Sequence, residues 1–202
     1  MGKILIANIG PTEYERHGSF PVAGEAGLDA PPASFAQALA SRLSGYQVAA
    51  LYYVPVSGAK ETAGVIARSL SVGLELLPGF EKEAGLDWWG LSPEDSLVLD
   101  CSFSEAPPDV AVKLPFDAPM DALREKVGKA LDAIAEKHKK ETVVIVSHRA
   151  LTAVMALHLL HMANKHYRQI AQEAGALNLF EVRGGMPSAL FINDTCHLHG
   201  LI

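Results

Sequence analysis

The polar triplet Ser147-His148-Arg149 contains the residue types of a catalytic or anion-binding site. A histidine can transfer protons near neutral pH, and an arginine carries a permanent positive charge. The triplet directly follows the apolar run 142–146 and opens an apolar, helical stretch from 150 to 163. Because open α/β sheets place their chemistry at the carboxyl ends of strands, we expect His148 to lie at a functional site. A cap of the following helix is the structural alternative for this histidine.

The first strand of the chain ends in a different kind of sequence. The apolar run 3–7 leads into Asn8-Ile9-Gly10, which supplies no acid, base or nucleophile. Two such strands would meet at the same edge of a parallel sheet, so one half of the site would lack reactive groups. We therefore interpret the chain as an enzyme scaffold in which half of the active site has been replaced.

Length and composition favour a single soluble domain over residues 1–202. A chain of 202 residues can bury a substantial core, and its 49% hydrophobic and 20% charged residues are typical of globular proteins. The net charge of −6 and the absence of a long basic run argue against a nucleic-acid partner. The longest apolar stretch is too short to span a membrane. Two cysteines, and a strand that begins at the N-terminus, predict a cytoplasmic protein.

Apolar runs with strand-like composition alternate with segments of helical spacing, and this alternation predicts a largely parallel sheet covered on both faces. Ser34 is the expected N-cap of the first helix. We expect helices over residues 35–43, 59–70, 121–139 and 150–163, and strands over residues 4–7, 46–53, 74–77, 96–100, 143–146, 177–182 and 188–192.

Several segments occur in the order of motifs that is characteristic of one family. Residues 147–154 match the motif that contains the second active-site histidine of this family. Residues 178–182 and 193–198 match its final strands and its C-terminal signature. Residues 54–63 and 86–90 match a second-arginine motif and a tryptophan-containing turn in pattern. Over nearly its whole length the chain resembles the histidine phosphatase superfamily. The resemblance implies a three-layer α/β/α fold of the phosphoglycerate mutase type with a mostly parallel sheet.

The resemblance also implies phosphoryl transfer without a metal or another cofactor. In the family one histidine attacks phosphorus, two arginines and a second histidine hold the phosphate, and a glutamate protonates the leaving group. His148 occupies the position of the second histidine, and Gly10 and Thr12 persist as scaffold. The remaining positions are changed: Ile9 replaces the nucleophile, Asn8 and Gly58 replace the arginines, and Lys82, flanked by Glu81 and Glu83, replaces the acid.

These replacements predict a pseudoenzyme. Isoleucine has no lone pair with which to attack phosphorus, and loss of both arginines removes the cationic groups that stabilise the transition state. Our leading hypothesis is a protein that binds a small anionic or phosphorylated ligand or a protein partner, and a homodimer is one such assembly. The alternative is an active phosphatase or other hydrolase that uses His148 with a replacement nucleophile. Arg16-His17-Gly18 offers one candidate, although no strand precedes it.

Other polar residues could assist either function. Arg16 is a candidate for retained anion binding, as the family often has a basic residue there. Lys60 and Arg149 could add positive charge near the pocket, with a solvent-exposed structural role as the favoured interpretation. Trp88 and Trp89 could form one wall of the pocket, or could pack in the core or against a partner.

Two histidines three residues apart, His158 and His161, have a spacing that can bind one metal ion. No aspartate, glutamate or cysteine with a clear ligand spacing accompanies them. We therefore predict that the chain has no metal site.

Overall fold

The computed structural model describes residues 2–11, 33–55, 58–81 and 117–201, and within them strands and helices alternate. The strands are β1 (Gly2–Asn8), β2 (Val48–Tyr53), β3 (Leu74–Leu76), β4 (Thr142–Ser147), β5 (Leu177–Arg183) and β6 (Met186–Asp194). The helices are α1 (Ala33–Leu43), α2 (Ala59–Leu70), α3 (Asp117–Lys137) and α4 (Arg149–Leu159), with 3₁₀ turns at Asn164–Gln169 and Cys196–Leu198.

The six strands form one sheet in the order β3-β2-β4-β1-β5-β6. The first four of these pair in parallel, and β5 and β6 extend the sheet as an antiparallel hairpin. Gly184 and Gly185, both with positive φ, form the turn of this hairpin, which is the backbone geometry that a tight hairpin requires. The expected α/β fold with a mostly parallel sheet is confirmed.

Strands β1 and β4 are buried on both faces, which explains why their sequences are continuously apolar rather than alternating. Helices α3 and α4 pack against each other, and α1 and α2 form a second pair, of which α2 contacts β2 and β4. The predicted apolar face of α3 is confirmed, since its four marker side chains are at most 1% exposed: Leu123, Val127, Leu131 and Ile134.

Several element boundaries differ from the sequence-based expectation. Helix α1 begins at Ala33, so Ser34 lies inside the helix and is not its N-cap. Helix α4 ends at Leu159, not at 163, because His161 adopts a left-handed conformation with φ of 53°. The N–H groups of His161 and Met162 then bond the carbonyls of His158 and Leu157, which closes the helix.

The other helices and strands lie close to their predicted positions. Helix α2 matches its predicted range, α3 covers 117–137 where 121–139 was expected, β2 starts at Val48, and β6 is longer than predicted at both ends. The expected strand 96–100 lies outside the described residues. In the part of the chain that is described, no helix is both long and apolar enough to cross a membrane.

Candidate functional site

The carboxyl ends of β1 and β4 lie side by side and bring together the two segments that the sequence singled out. Asn8 and Ser147 are register partners, and the backbone N–H of Ile9 donates to the Ser147 carbonyl at 3.0 Å. On the far side of β4, the N–H of Val54 donates to the Val146 carbonyl at 3.1 Å. The end of β2, from which the chain continues to α2, therefore reaches the same edge of the sheet.

The side chain of Asn8 is fully buried, and its hydrogen-bonding groups are all used within the protein. Its Nδ2 donates to Gln172 Oε1 and to the Glu173 carbonyl, both at 2.9 Å. Its Oδ1 accepts a hydrogen bond of 2.6 Å from Thr152 Oγ1. A carboxamide has only two N–H donors, so Asn8 has no donor left for a ligand.

The hydrogen bonds of Asn8 continue into a buried network of neutral amides. Gln172 Nε2 donates to Asn178 Oδ1 at 2.9 Å, and Asn178 Nδ2 donates back to Gln172 Oε1 at 3.0 Å. Asn178 Nδ2 also donates to the Ile6 carbonyl, and Asn178 Oδ1 accepts the N–H of Asn193. A buried network in which each amide has partners is rigid, and this one joins β1, β5, β6 and α4 at the site.

Ile9 follows Asn8 and belongs to the hydrophobic core, with only 4% of its surface exposed. Both of its backbone polar groups are paired, the N–H with Ser147 as described above and the carbonyl with the N–H of Gly175 at 2.8 Å. An aliphatic side chain in this environment can contribute packing but no bond-forming electron pair.

Gly58 precedes α2 in a left-handed conformation, with φ of 80° and ψ of −28°. Its N–H donates to Glu61 Oε2 at 2.9 Å, and its carbonyl accepts the N–H of Thr62, so the start of the helix is capped internally. A residue with a Cβ atom is strained at this φ. The backbone at this position therefore suits glycine and disfavours an arginine.

His148 is the N-cap of α4, as the structural alternative predicted, and its side chain is half-buried. Its Nδ1 accepts a long hydrogen bond of 3.4 Å from the backbone N–H of Ala150. In a neutral ring with Nδ1 as acceptor, the proton resides on Nε2. The contact with Ala150 therefore assigns the N–H of the neutral ring to Nε2.

The remaining candidates divide into described and undescribed residues. Lys60 and Glu81 are exposed, and Gly10 is buried. Arg149 begins α4 and is half-buried, so it is less exposed than the favoured interpretation expected. Outside the described residues lie Thr12, Arg16, His17, Lys82, Glu83, Trp88 and Trp89.

A histidine of the terminal turn is linked to this edge through Gly175. His197 Nε2 lies 3.0 Å from the Gly175 carbonyl, and the N–H of Gly175 bonds Ile9. Burial lowers the pKa of His197 below its ordinary value of 6.5, although the hydrogen bond to Gly175 acts in the opposite direction. The neighbouring thiol of Cys196 has a raised pKa because it hydrogen-bonds Asp194, which makes it a weak nucleophile.

Within the described part of the chain, no three histidine, cysteine or acidic side chains are placed so that they could hold one metal ion. His158 faces Asp132, with 3.6 Å between His158 Nε2 and Asp132 Oδ1. His161 lies beyond the end of α4, so the two histidines do not share a helical face as their spacing suggested.

Sequence inspection missed the residues that hold Asn8, namely Thr152, Gln172 and Asn178. Asn178 did carry a signal, because it is an amide within the apolar first half of β5 and such a residue needs a buried partner. Thr152 and Gln172 carried none, since a threonine in a helix and a glutamine in an irregular segment are usual on protein surfaces.

Comparison with known structures reveals the same fold in several proteins, some of which are named as phosphatases. Phosphoserine phosphatase from Entamoeba histolytica, solved with 3-phosphoglyceric acid, aligns with a TM-score of 0.71 and 22% identity over 98% of this chain and 100% of its own. YhfR from Bacillus stearothermophilus aligns with a TM-score of 0.74 and 19% identity over the same shares of the two chains. The α-ribazole phosphatase from Shigella flexneri has a TM-score of 0.68 and 14% identity over 95% of this chain and 96% of its own.

Sequence comparison gives the family directly. No curated protein matches the chain. The model of the histidine phosphatase superfamily, branch 1, matches residues 10–195, which is most of the sequence. The fold and this match agree with the resemblance of the motifs, and the chain therefore belongs to the histidine phosphatase superfamily.

Proposed function

We propose that this protein is a member of the histidine phosphatase superfamily that has lost phosphohistidine chemistry and instead binds a ligand or partner. The burial of Ile9 at the nucleophile position carries this proposal, since only 4% of its surface is exposed. Phosphoryl transfer through an enzyme intermediate needs a lone pair that can reach phosphorus. A buried isoleucine offers no lone pair in any rotamer.

The environment of Asn8 supports the same proposal. An arginine at this position would hold phosphate oxygens with charged, paired donors. Asn8 gives its two donors to Gln172 and Glu173 and brings no charge. Gly58 likewise removes a guanidinium, and its N–H is bonded to Glu61. Each charge-assisted hydrogen bond that is lost removes about 1.5–3 kcal/mol, so loss of several lowers the rate by orders of magnitude.

We propose a small anionic or phosphorylated molecule as the ligand. His148 and Arg149 bring an imidazole and a positively charged guanidinium to the carboxyl end of β4. The structural relatives named phosphoserine phosphatase and α-ribazole phosphatase act on small phosphorylated molecules, as their names state, which favours the same ligand class here. With fewer cationic groups, this protein should bind phosphate more weakly than a catalytic relative would.

A protein partner, including a second copy of the chain, is an alternative occupant of the same edge of the sheet. A nucleic acid remains disfavoured by the net charge of −6. A cytoplasmic location and a single domain over 1–202 remain predictions of the sequence.

Calorimetric titration tests the proposed ligand class. Phosphate and phosphoserine are titrated into the native protein and into His148→Ala, with Lys126→Met as a surface-charge control. We expect binding that is weakened about tenfold in His148→Ala, which corresponds to one charge-assisted hydrogen bond, and is unchanged in the control. Equal affinity for native protein and His148→Ala would contradict a ligand at this site.

The second candidate function is an active phosphatase that uses a replacement nucleophile. The named activities of the structural relatives favour it, and Arg16-His17-Gly18 supplies the residue. In that case the native protein would release phosphate from phosphomonoesters without added metal, and both His17→Gln and His148→Ala would abolish the release.

A further inference from the structure

A cavity lies at the amino-terminal end of β1, at the opposite end of the strand from Asn8. It encloses about 460 Å³, which falls within the size range of small-molecule sites. Residues 2–4 at the start of β1 form part of its wall, together with the ends of α3 and α4 and the β5–β6 turn. Its floor is largely apolar and includes Ile4, Leu131 and Val143. We refer to it as the basal cavity.

Two local features show that the backbone accommodates imidazoles at this cavity. Gly128 lies in the middle of α3, where glycine costs about 1 kcal/mol relative to alanine. A Cβ atom there would lie 2.5 Å from Cε1 of His158, so only glycine leaves room for this ring. His161 has a positive φ at a position where glycine is the usual residue. Both histidines line the basal cavity.

Several charged or titratable side chains around the basal cavity already have partners within the protein. Lys139 pairs with Glu136 at 2.5 Å, and His158 lies 3.6 Å from Asp132. The ring nitrogens of His138 are occupied by Tyr52 and Glu141, at 2.9 and 2.6 Å.

Lys3 is the exception among these charged groups. It is half-buried and has no ion-pair partner among the described residues. Glu181 lies opposite Lys3 in the strand register, but its carboxylate is bonded to Arg183 at 2.7 Å. Lys3 therefore places an ammonium group without a carboxylate partner, among the described residues, beside an apolar floor.

We propose that the basal cavity binds a small amphipathic organic anion, with its acidic group at Lys3 and its apolar body on the floor. The imidazole of His161 is a second donor for the acidic group. This site is independent of the edge that carries His148, so either proposal can fail without the other.

Fluorescence titration with anilinonaphthalene sulfonate, an aromatic monoanion that brightens in apolar surroundings, tests this proposal. We expect saturable binding to the native protein, about tenfold weaker binding to Lys3→Met, and no binding to Ala135→Trp, which fills the cavity from α3. Lys126→Met is the matched control, because Lys126 lies on α3 over the Phe80 ring and away from the cavity. Circular dichroism verifies that each variant is folded, and Ala135→Met replaces the tryptophan variant if that one does not fold.

Absence of saturable binding to the native protein would overturn the proposal. Equal losses in Lys3→Met and Lys126→Met would also overturn it, because they would indicate a general charge effect. A loss in Lys3→Met that the uncharged analogue phenylnaphthylamine does not show would support selection of the anion by Lys3.

Discussion

Thr152 Oγ1 on α4 donates a hydrogen bond of 2.6 Å to Asn8 Oδ1 at the end of β1. Both side chains are fully buried, and 144 residues separate them in the sequence. This contact joins the helix that His148 caps to the strand that precedes Ile9. It also orients the Asn8 amide, so that its two N–H donors point to Gln172 and Glu173.

Thr152→Val should destabilise the protein, because it preserves shape but leaves Asn8 Oδ1 buried without a donor. The expected loss in free energy of unfolding is about 1–3 kcal/mol. Urea denaturation measures it, with Thr142→Val as the control at a half-buried threonine that begins β4. The control should change stability by less than about 0.5 kcal/mol. Equal effects of the two substitutions would show that the hydrogen bond to Asn8 contributes little.

Gly58→Ala should destabilise the protein because of the left-handed backbone at this position. The expected cost is about 1–2 kcal/mol, and Gly58→Arg should lose at least as much. Gly73 is the control, since it has no positive φ and a Cβ there would meet no atom within 4 Å. Gly73→Ala should be neutral or slightly stabilising. The melting temperatures of the three variants measure these effects. An unchanged melting temperature in Gly58→Ala would contradict backbone strain at this position.

Gly128→Ala and Gly64→Ala should have effects of opposite sign, although both replace a glycine within a helix. A Cβ at Gly64 would lie 3.5 Å from Arg68 Nη1, which is an ordinary contact, so alanine should stabilise by about 0.5–1 kcal/mol. A Cβ at Gly128 would collide with the His158 ring, so alanine should destabilise. His158→Ala should rescue Gly128→Ala in a double-mutant cycle. Additive effects would contradict the steric explanation.

The fold could be predicted from the sequence because its helices and strands have periodic or continuous apolar patterns. Helix α3 repeats apolar residues at helical spacing, and β4 is an unbroken apolar run before a polar triplet, so both could be located. Helix ends were less accessible. The left-handed conformation of His161 ends α4 early. Histidine is enriched in that conformation among non-glycine residues, but it also occurs often within helices, so the residue type alone does not mark a helix end.

The candidate site could be predicted from the sequence only in part. Register between parallel strands places Asn8 beside Ser147, and this follows from the positions of two apolar runs. The partners of Asn8 come from a helix and from an irregular segment, and sequence does not reveal which amides meet in space. The left-handed backbone at Gly58 could not be predicted either, because glycine permits this conformation but also adopts many others.

His197 should make stability pH-dependent. Its pKa in the folded protein lies below 6.5 because of burial, so the unfolded chain binds a proton more readily. Its contribution to stability is complete above 6.5 and is lost as the pH falls through the lower, folded pKa. His197→Gln should flatten the dependence of the unfolding free energy on pH in this range, whereas His199→Gln, at an exposed position, should not. Parallel curves for native protein and His197→Gln would refute this assignment.

Release of phosphate tests the central claim most directly. The native protein, His148→Ala and His17→Gln are compared on a panel of phosphomonoesters that includes phosphoserine, without added metal. A chain with Ile9 in place of the nucleophile should release no more phosphate than His148→Ala does. A native rate well above that background, abolished in His148→Ala, would contradict the loss of catalysis and direct the search for a nucleophile to His17.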